Sequence, residues 1–124
     1  MQVVDSDQGE TLFGGSDTDH VQFSSYASTA GVNVTFTGAG AGNFAYVATP
    51  GAGSFAEIES FGLTEYNDTF NATASTAAVT IGAGGGNDVI RGGSAADRLS
   101  GDADADTIYG GVGDTVVGGE GVTT

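Results

Sequence analysis

The sequence has no lysine, no cysteine, a single proline (Pro50), a single histidine (His20) and two arginines, Arg91 and Arg98. Each absence closes off a class of function. Without cysteine there is no disulfide framework, no thiol nucleophile and no cysteine-based zinc site. Without clustered basic residues, phosphate backbones and anionic membrane surfaces have nothing to hold. No run approaches the ~18 apolar residues of a membrane span, so membrane insertion is not expected. The start, Met1-Gln2-Val3-Val4-Asp5, carries neither the basic nor the apolar region of a signal peptide. One histidine cannot build a metal triad, and neither H-E-x-x-H nor G-x-S-x-G occurs, so no catalytic role is expected. Acidic residues abound, but nothing singles out a pair for sugar chemistry. Gly38, Gly40 and Gly42 with Asn43 do not complete a dinucleotide-binding loop.

What is abundant is acid and glycine. Sixteen Asp and Glu give a formal net charge of -14, and 23 of the 124 residues are glycine. Such a chain repels itself unless the charge is solvated or neutralised by a hard, oxygen-seeking cation. Glu57, Glu59 and Glu65 are expected to be a solvated face, Arg91 and Arg98 to pair with neighbouring acids, and His20 to be a surface residue without a partner.

No segment keeps a 3.6-residue apolar period, so short strands joined by turns are expected throughout. Over residues 1–76 the texture is irregular. Val21-Gln22-Phe23, Val32 to Phe36 and Phe44 to Val47 read as strands, and Phe55 to Phe61 as a further alternating run. Gly38 to Gly42 and Pro50 to Gly53 read as turns. Seven of the eleven aromatic residues lie between Phe23 and Phe61, which gives this half the bulkier core.

From residue 77 to 124 the chain is periodic. Ile81, Ile90, Leu99 and Ile108 are nine apart, and Asp88, Asp97 and Asp106 each precede an aliphatic partner by two. A nine-residue unit is one tight turn plus one short strand, and two units close a coil of eighteen, with parallel strands stacking ~4.8 Å apart. Fainter copies stand at Asn67-Asp68-Thr69-Phe70, Glu10-Thr11-Leu12 and Asp19-His20-Val21, so the first half is expected to be a continuation of the solenoid with longer, divergent coils. Residues eighteen apart share one side of the coil. Asp88 and Asp106 are therefore placed to hold one ion between them with backbone carbonyls, and Asp97 to pair with the turn at Asp114.

At these residues the chain resembles the haemolysin-type, or RTX, calcium-binding proteins, whose nonapeptide reads G-G-x-G-x-D-x-U-x. Ala83 to Arg91 is the nearest copy, Gly92 to Ser100 and Gly101 to Tyr109 follow in frame, and Gly110 to Val116 is one residue short. The resemblance implies an all-β parallel β-roll binding Ca2+ between turns. It implies ligands from the aspartates at 68, 88, 97, 106 and 114 and from the turn residues Gly84, Gly86, Gly92, Gly93, Gly101, Asp104, Gly111 and Gly113. Ala95 and Asp104 stand where the fourth glycine belongs; Asp tolerates a left-handed backbone and Ala does not, so the Asp97 turn is expected to be impaired. The resemblance also implies an extracellular setting. The initial Met, and an end at Thr124 without the longer tail of type I secretion, favour a small surface-assembly component that self-associates or docks on a larger particle.

Overall fold

Three-residue strands recur because each repeat offers one inward-facing aliphatic residue, flanked by two positions that face outward, before glycine and aspartate turn the chain. The structure, a computed structural model, describes residues 2–4, 11–23, 31–47, 52–111, 113–117 and 122–123. Its strands are β1 (Gln2–Val4), β2 (Thr11–Phe13), β3 (His20–Phe23), β4 (Val32–Gly38), β5 (Ala41–Tyr46), β6 (Ala52–Ala56), β7 (Ser60–Gly62), β8 (Thr69–Asn71), β9 (Thr80–Gly82), β10 (Val89–Arg91), β11 (Arg98–Ser100), β12 (Thr107–Tyr109), β13 (Thr115–Val117) and β14 (Val122–Thr123). Among the described residues there is no helix, and none long and apolar enough to cross a membrane.

Two sheets face each other. One runs β1-β3-β7-β9-β11-β13 and the other β14-β12-β10-β8-β4-β5-β6-β2. From β7 onward the chain alternates between them, so every second strand pairs in parallel with its predecessor in the same sheet. The register steps are eighteen residues for Val89↔Thr107 and Thr80↔Arg98, twenty for Thr69↔Val89, and seventeen for Arg98↔Thr115. This is the all-β parallel roll that the nine-residue period implies.

Each strand from β8 to β12 sends one residue inward, and the inward residues stack coil on coil. Val21, Phe61, Ile81 and Leu99 form one column, and Val34, Phe70, Ile90 and Ile108 the other. All eight are at most 1% exposed, which makes these columns the spine of the core.

The first half departs from a plain solenoid. β4, β5 and β6 form an antiparallel meander lying within the larger sheet between β8 and β2, so that sheet has eight strands against six. A period search cannot see this, because antiparallel pairing leaves no repeat. The wider space is filled by rings: Phe36 packs edge to face on Phe55, Phe61 and Phe70 at centroid distances of 5.0, 5.4 and 5.4 Å, and Phe23 on Phe44 at 5.1 Å. Gly42 pairs with both Phe36 and Phe55; a Cβ there would stand 2.8 Å from the Phe55 ring.

Three local expectations are corrected. Phe55 to Phe61 is not one alternating strand: Glu57 adopts φ 57° and turns the chain from β6 into β7, so Phe55, Ile58 and Phe61 are the buried residues. Ala52 and Gly53 belong to β6 and not to a turn, while Pro50 and Gly51 lie outside the described residues. His20 is half-buried and partnered, its Nδ1 2.8 Å from Ser60 Oγ, in a groove on the six-stranded sheet lined also by Arg98 and Asp102.

Ile90→Ala removes a fully buried residue from the middle of one column. It is expected to cost about 2–5 kcal/mol of folding stability, measured by chemical denaturation in saturating calcium.

Candidate metal centre

The turns form two columns, one along each edge of the roll. Turns entering the eight-stranded sheet (63–68, 83–88, 101–106) make the first, and turns entering the six-stranded sheet (14–19, 57–59, 72–79, 92–97, 110–114) make the second. The closing aspartates lie beneath their turns: Asp68, Asp88, Asp97 and Asp106 are each no more than 2% exposed. A carboxylate so buried must be hydrogen-bonded, neutralised or bound to a cation.

One oxygen of each is accounted for by a ladder. The Asp68 N–H donates to Asp88 Oδ1 at 2.7 Å, and the Asp88 N–H donates to Asp106 Oδ1 at 2.9 Å. The Val32 N–H extends this upward, donating to Asp68 Oδ1 at 2.7 Å. The second column repeats the device: Val79 N–H to Asp97 Oδ1 at 2.9 Å, and Asp97 N–H to Asp114 Oδ1 at 2.8 Å.

The other oxygen separates the sites. In Asp68 it accepts from the Thr64 N–H at 3.0 Å, in Asp97 from the Gly93 N–H at 2.8 Å, and in Asp114 from the Gly111 N–H at 2.6 Å. In Asp88 and Asp106 it is buried with no hydrogen-bond partner. The two turns bearing these free oxygens share a backbone form. Gly84 and Gly86 have φ of 80° and 89°, and Asp102 and Asp104 reproduce it with 62° and 70°. Asp104 thus does take the left-handed place of the fourth glycine. The side chains of Asp102 and Asp104 accept from the N–H groups of Gly84 and Gly86, at 3.2 and 2.9 Å, and fasten the two turns together. Asn67 and Asn87 do likewise one position before the aspartates. In the 92–97 turn neither Gly93 nor Ala95 is left-handed, so this turn follows a different path, whereas Gly113 is left-handed at φ 89°.

Gly101 has no room for a side chain, because a Cβ would strike Asp106 Oδ2, and one at Gly92 would come within 2.9 Å of Asp97 Oδ2 and 3.1 Å of Asp114 Oδ2. Among the described residues no three acidic or histidine side chains converge. Among the described residues the carboxylates thus form no closed cage by themselves. The donor set fits a hard cation.

The sequence pattern missed the roles of Thr64, Asn67, Asn87 and Asp102, although Asn67 and Asn87 stand just before their aspartates and were legible as a repeat. One expectation about the outer face changes, that of a solvated Glu59. Arg91 places its guanidinium 4.2 Å over the Tyr109 ring, and Glu59 Oε2 accepts the Asp19 N–H at 3.0 Å. Glu57 and Glu65 are exposed.

A parallel roll with acidic turns in register is the architecture of calcium-binding repeat proteins. Residues 82–117 match the family model of the RTX calcium-binding nonapeptide repeat, in four copies. No curated protein and no solved structure matches the chain. The repeats of this family bind Ca2+, and the segment is a calcium-binding β-roll.

Burial pushes the Asp88 carboxyl up to about 8 and the Asp68 carboxyl up to about 6, and it raises that of Asp106. A carboxyl with a raised folded-state pKa keeps its proton in the fold after the unfolded chain has lost it. The contribution of these carboxyls to the calcium-free fold is then fully present below about pH 4 and is lost as pH rises through about 6 and 8. Denaturation in EGTA is expected to show this fall, by at most about 1.4 kcal/mol per pH unit for each carboxyl, and saturating calcium is expected to flatten it.

Proposed function

We propose that the chain is an extracellular module whose folding is driven by calcium, with Asp88 and Asp106 as carboxylate ligands and the carbonyls of the 83–88 and 101–106 turns completing the shell. The observation that carries this reading is the pair of buried, unpartnered carboxylate oxygens, Oδ2 of Asp88 and Oδ2 of Asp106, one coil apart. Without a cation these oxygens are either charged and desolvated or protonated. A divalent ion neutralises both and completes the hydrogen-bond accounting of the turns. The turns at Asp97 and Asp114 hold their second oxygens with their own backbone N–H groups, so they are the weaker ligands. Asp68 is held in the same way by Thr64.

Binding free energy then becomes folding free energy. With a net charge of -14 and two cationic side chains, the calcium-free chain is destabilised by its own repulsion, and extracellular calcium relieves it. Circular dichroism during a calcium titration tests this. A gain of β signal between excess EGTA and millimolar calcium is expected, with the midpoint moved upward roughly tenfold or more by Asp88→Asn. A spectrum already fully β in EGTA, and indifferent to calcium, would sink the reading.

A second reading, compatible with the first, is a structural part that docks on copies of itself or on a larger surface. Phe13, 63% exposed, lies on β2 at one end of the eight-stranded sheet; Val117, 45% exposed, lies on β13 at the end of the other. Apolar side chains on terminal strands favour edge-to-edge contact. Light scattering with calcium is expected to show association that Phe13→Ser weakens; a monomer at all concentrations removes this reading.

A further inference from the structure

The buried unpartnered oxygens include a third: Oδ2 of Asp19, far from the matched repeats and shut off from solvent. The residues around it fit the nonapeptide. Gly14-Gly15-Ser16-Asp17-Thr18-Asp19-His20-Val21-Gln22 keeps both leading glycines, the aspartate in sixth place and the aliphatic residue in eighth. It departs at Asp17, where the 101–109 unit has Asp104, although Asp104 is left-handed at φ 70° and Asp17 is not. The structure gives this stretch the form of a repeat. The 14–19 turn runs from β2 to β3, Gly15 is left-handed at φ 102° as Gly84 and Asp102 are at the same place in their units, and Val21 is fully buried.

The coil below supplies the other half of a site. Glu59 takes the part played elsewhere by aspartate, its Oε2 accepting the Asp19 N–H at 3.0 Å. The Gly14 N–H donates to Ala56 O at 3.0 Å, and the Ser60 N–H donates to Asp19 O at 3.1 Å, so the two turns are fixed one upon the other. Glycine at position 14 lets the two turns pack closely. A Cβ there would strike the Glu57 carbonyl oxygen and stand 2.8 Å from Asp19 Oδ2. A carbonyl oxygen and a carboxylate oxygen, from coils forty residues apart in register, thus lie beside the same glycine. The ligand atoms offered are all oxygen. The His20 imidazole is turned to Ser60 Oγ through Nδ1.

We infer that the 14–19 and 57–59 turns hold an additional calcium ion, with Asp19 as its carboxylate ligand and the Glu57 carbonyl as a backbone ligand. This site rests on the calcium reading above but is separate from the Asp88–Asp106 pair. Its turns lead into the six-stranded sheet, on the other edge of the roll. An ion there ties the base of a long excursion, the register step of forty residues from β3 to β7 that carries the aromatic meander. Tying such a loop at its base offsets the entropy of closing it.

The test counts ions. Native mass spectrometry at a fixed, saturating calcium concentration is run on the wild-type chain, Asp19→Asn and Asp88→Asn. Asp19→Asn is expected to hold one ion fewer than wild type, with its circular dichroism still calcium-dependent. The wild-type count in Asp19→Asn, beside a lost ion in Asp88→Asn, overturns the additional site and leaves the calcium reading standing. An unchanged count in both variants overturns both. If Asp19→Asn does not fold, terbium substituted into the wild-type protein decides: broadened amide signals of Gly15 and His20 in the NMR spectrum support the site, and sharp ones overturn it.

Discussion

A carboxylate taken out of water must find donors or a cation, and the roll meets this requirement by making each acid serve the coil before it. Asp88 caps the Asp68 amide and Asp106 caps the Asp88 amide, so no coil is finished until the next is in place. The stack is thereby cooperative in one direction along the chain, with each unit exchanging stability only with its neighbours. The inward columns of Ile81 with Leu99 and of Ile90 with Ile108 supply the hydrophobic part of the same nearest-neighbour contact. Neither suffices alone, since three-residue strands bury one side chain each.

Along this ladder the turns have divided the work. Where a turn lends its own N–H to the second carboxylate oxygen, as Gly93 does for Asp97 and Thr64 for Asp68, the acid is structural even without metal. Where left-handed residues shape the turn, at Gly84 and Gly86 and again at Asp102 and Asp104, the acid is left with an oxygen to give. Local backbone form, more than the aspartate itself, distinguishes an acid with an unpartnered oxygen from one held by its own turn.

How much of this the sequence disclosed follows from what leaves a period. The parallel roll, the inward Ile81, Ile90, Leu99 and Ile108, and the pairing of Asp88 with Asp106 all follow from the nine-residue spacing and were legible. The β4–β5–β6 meander was not, since its pairing depends on which distant strands accept it. The corner at Glu57 was hidden by an accidental alternation of polar and apolar residues that imitates a strand. Nor could spacing show that His20 would meet Ser60, which stands forty residues away in sequence and beside it in the sheet. The missing left-handed glycine at Ala95 was visible, but the alternative course of that turn, and the Gly93 N–H it directs at Asp97, was not.

The unequal sheets carry a consequence of another kind. Near-identical repeats are degenerate: sliding the chain by one coil would place aliphatic on aliphatic and aspartate under aspartate again, with little to tell the frames apart. Phe70 breaks that degeneracy. It stacks on Ile90 on one side and meets Phe36 and Phe61 on the other, a set of neighbours that no second coil offers. The aromatic meander is thus a zero mark on a ruler of otherwise interchangeable divisions, fixing which coil is first and so which aspartates come to face each other.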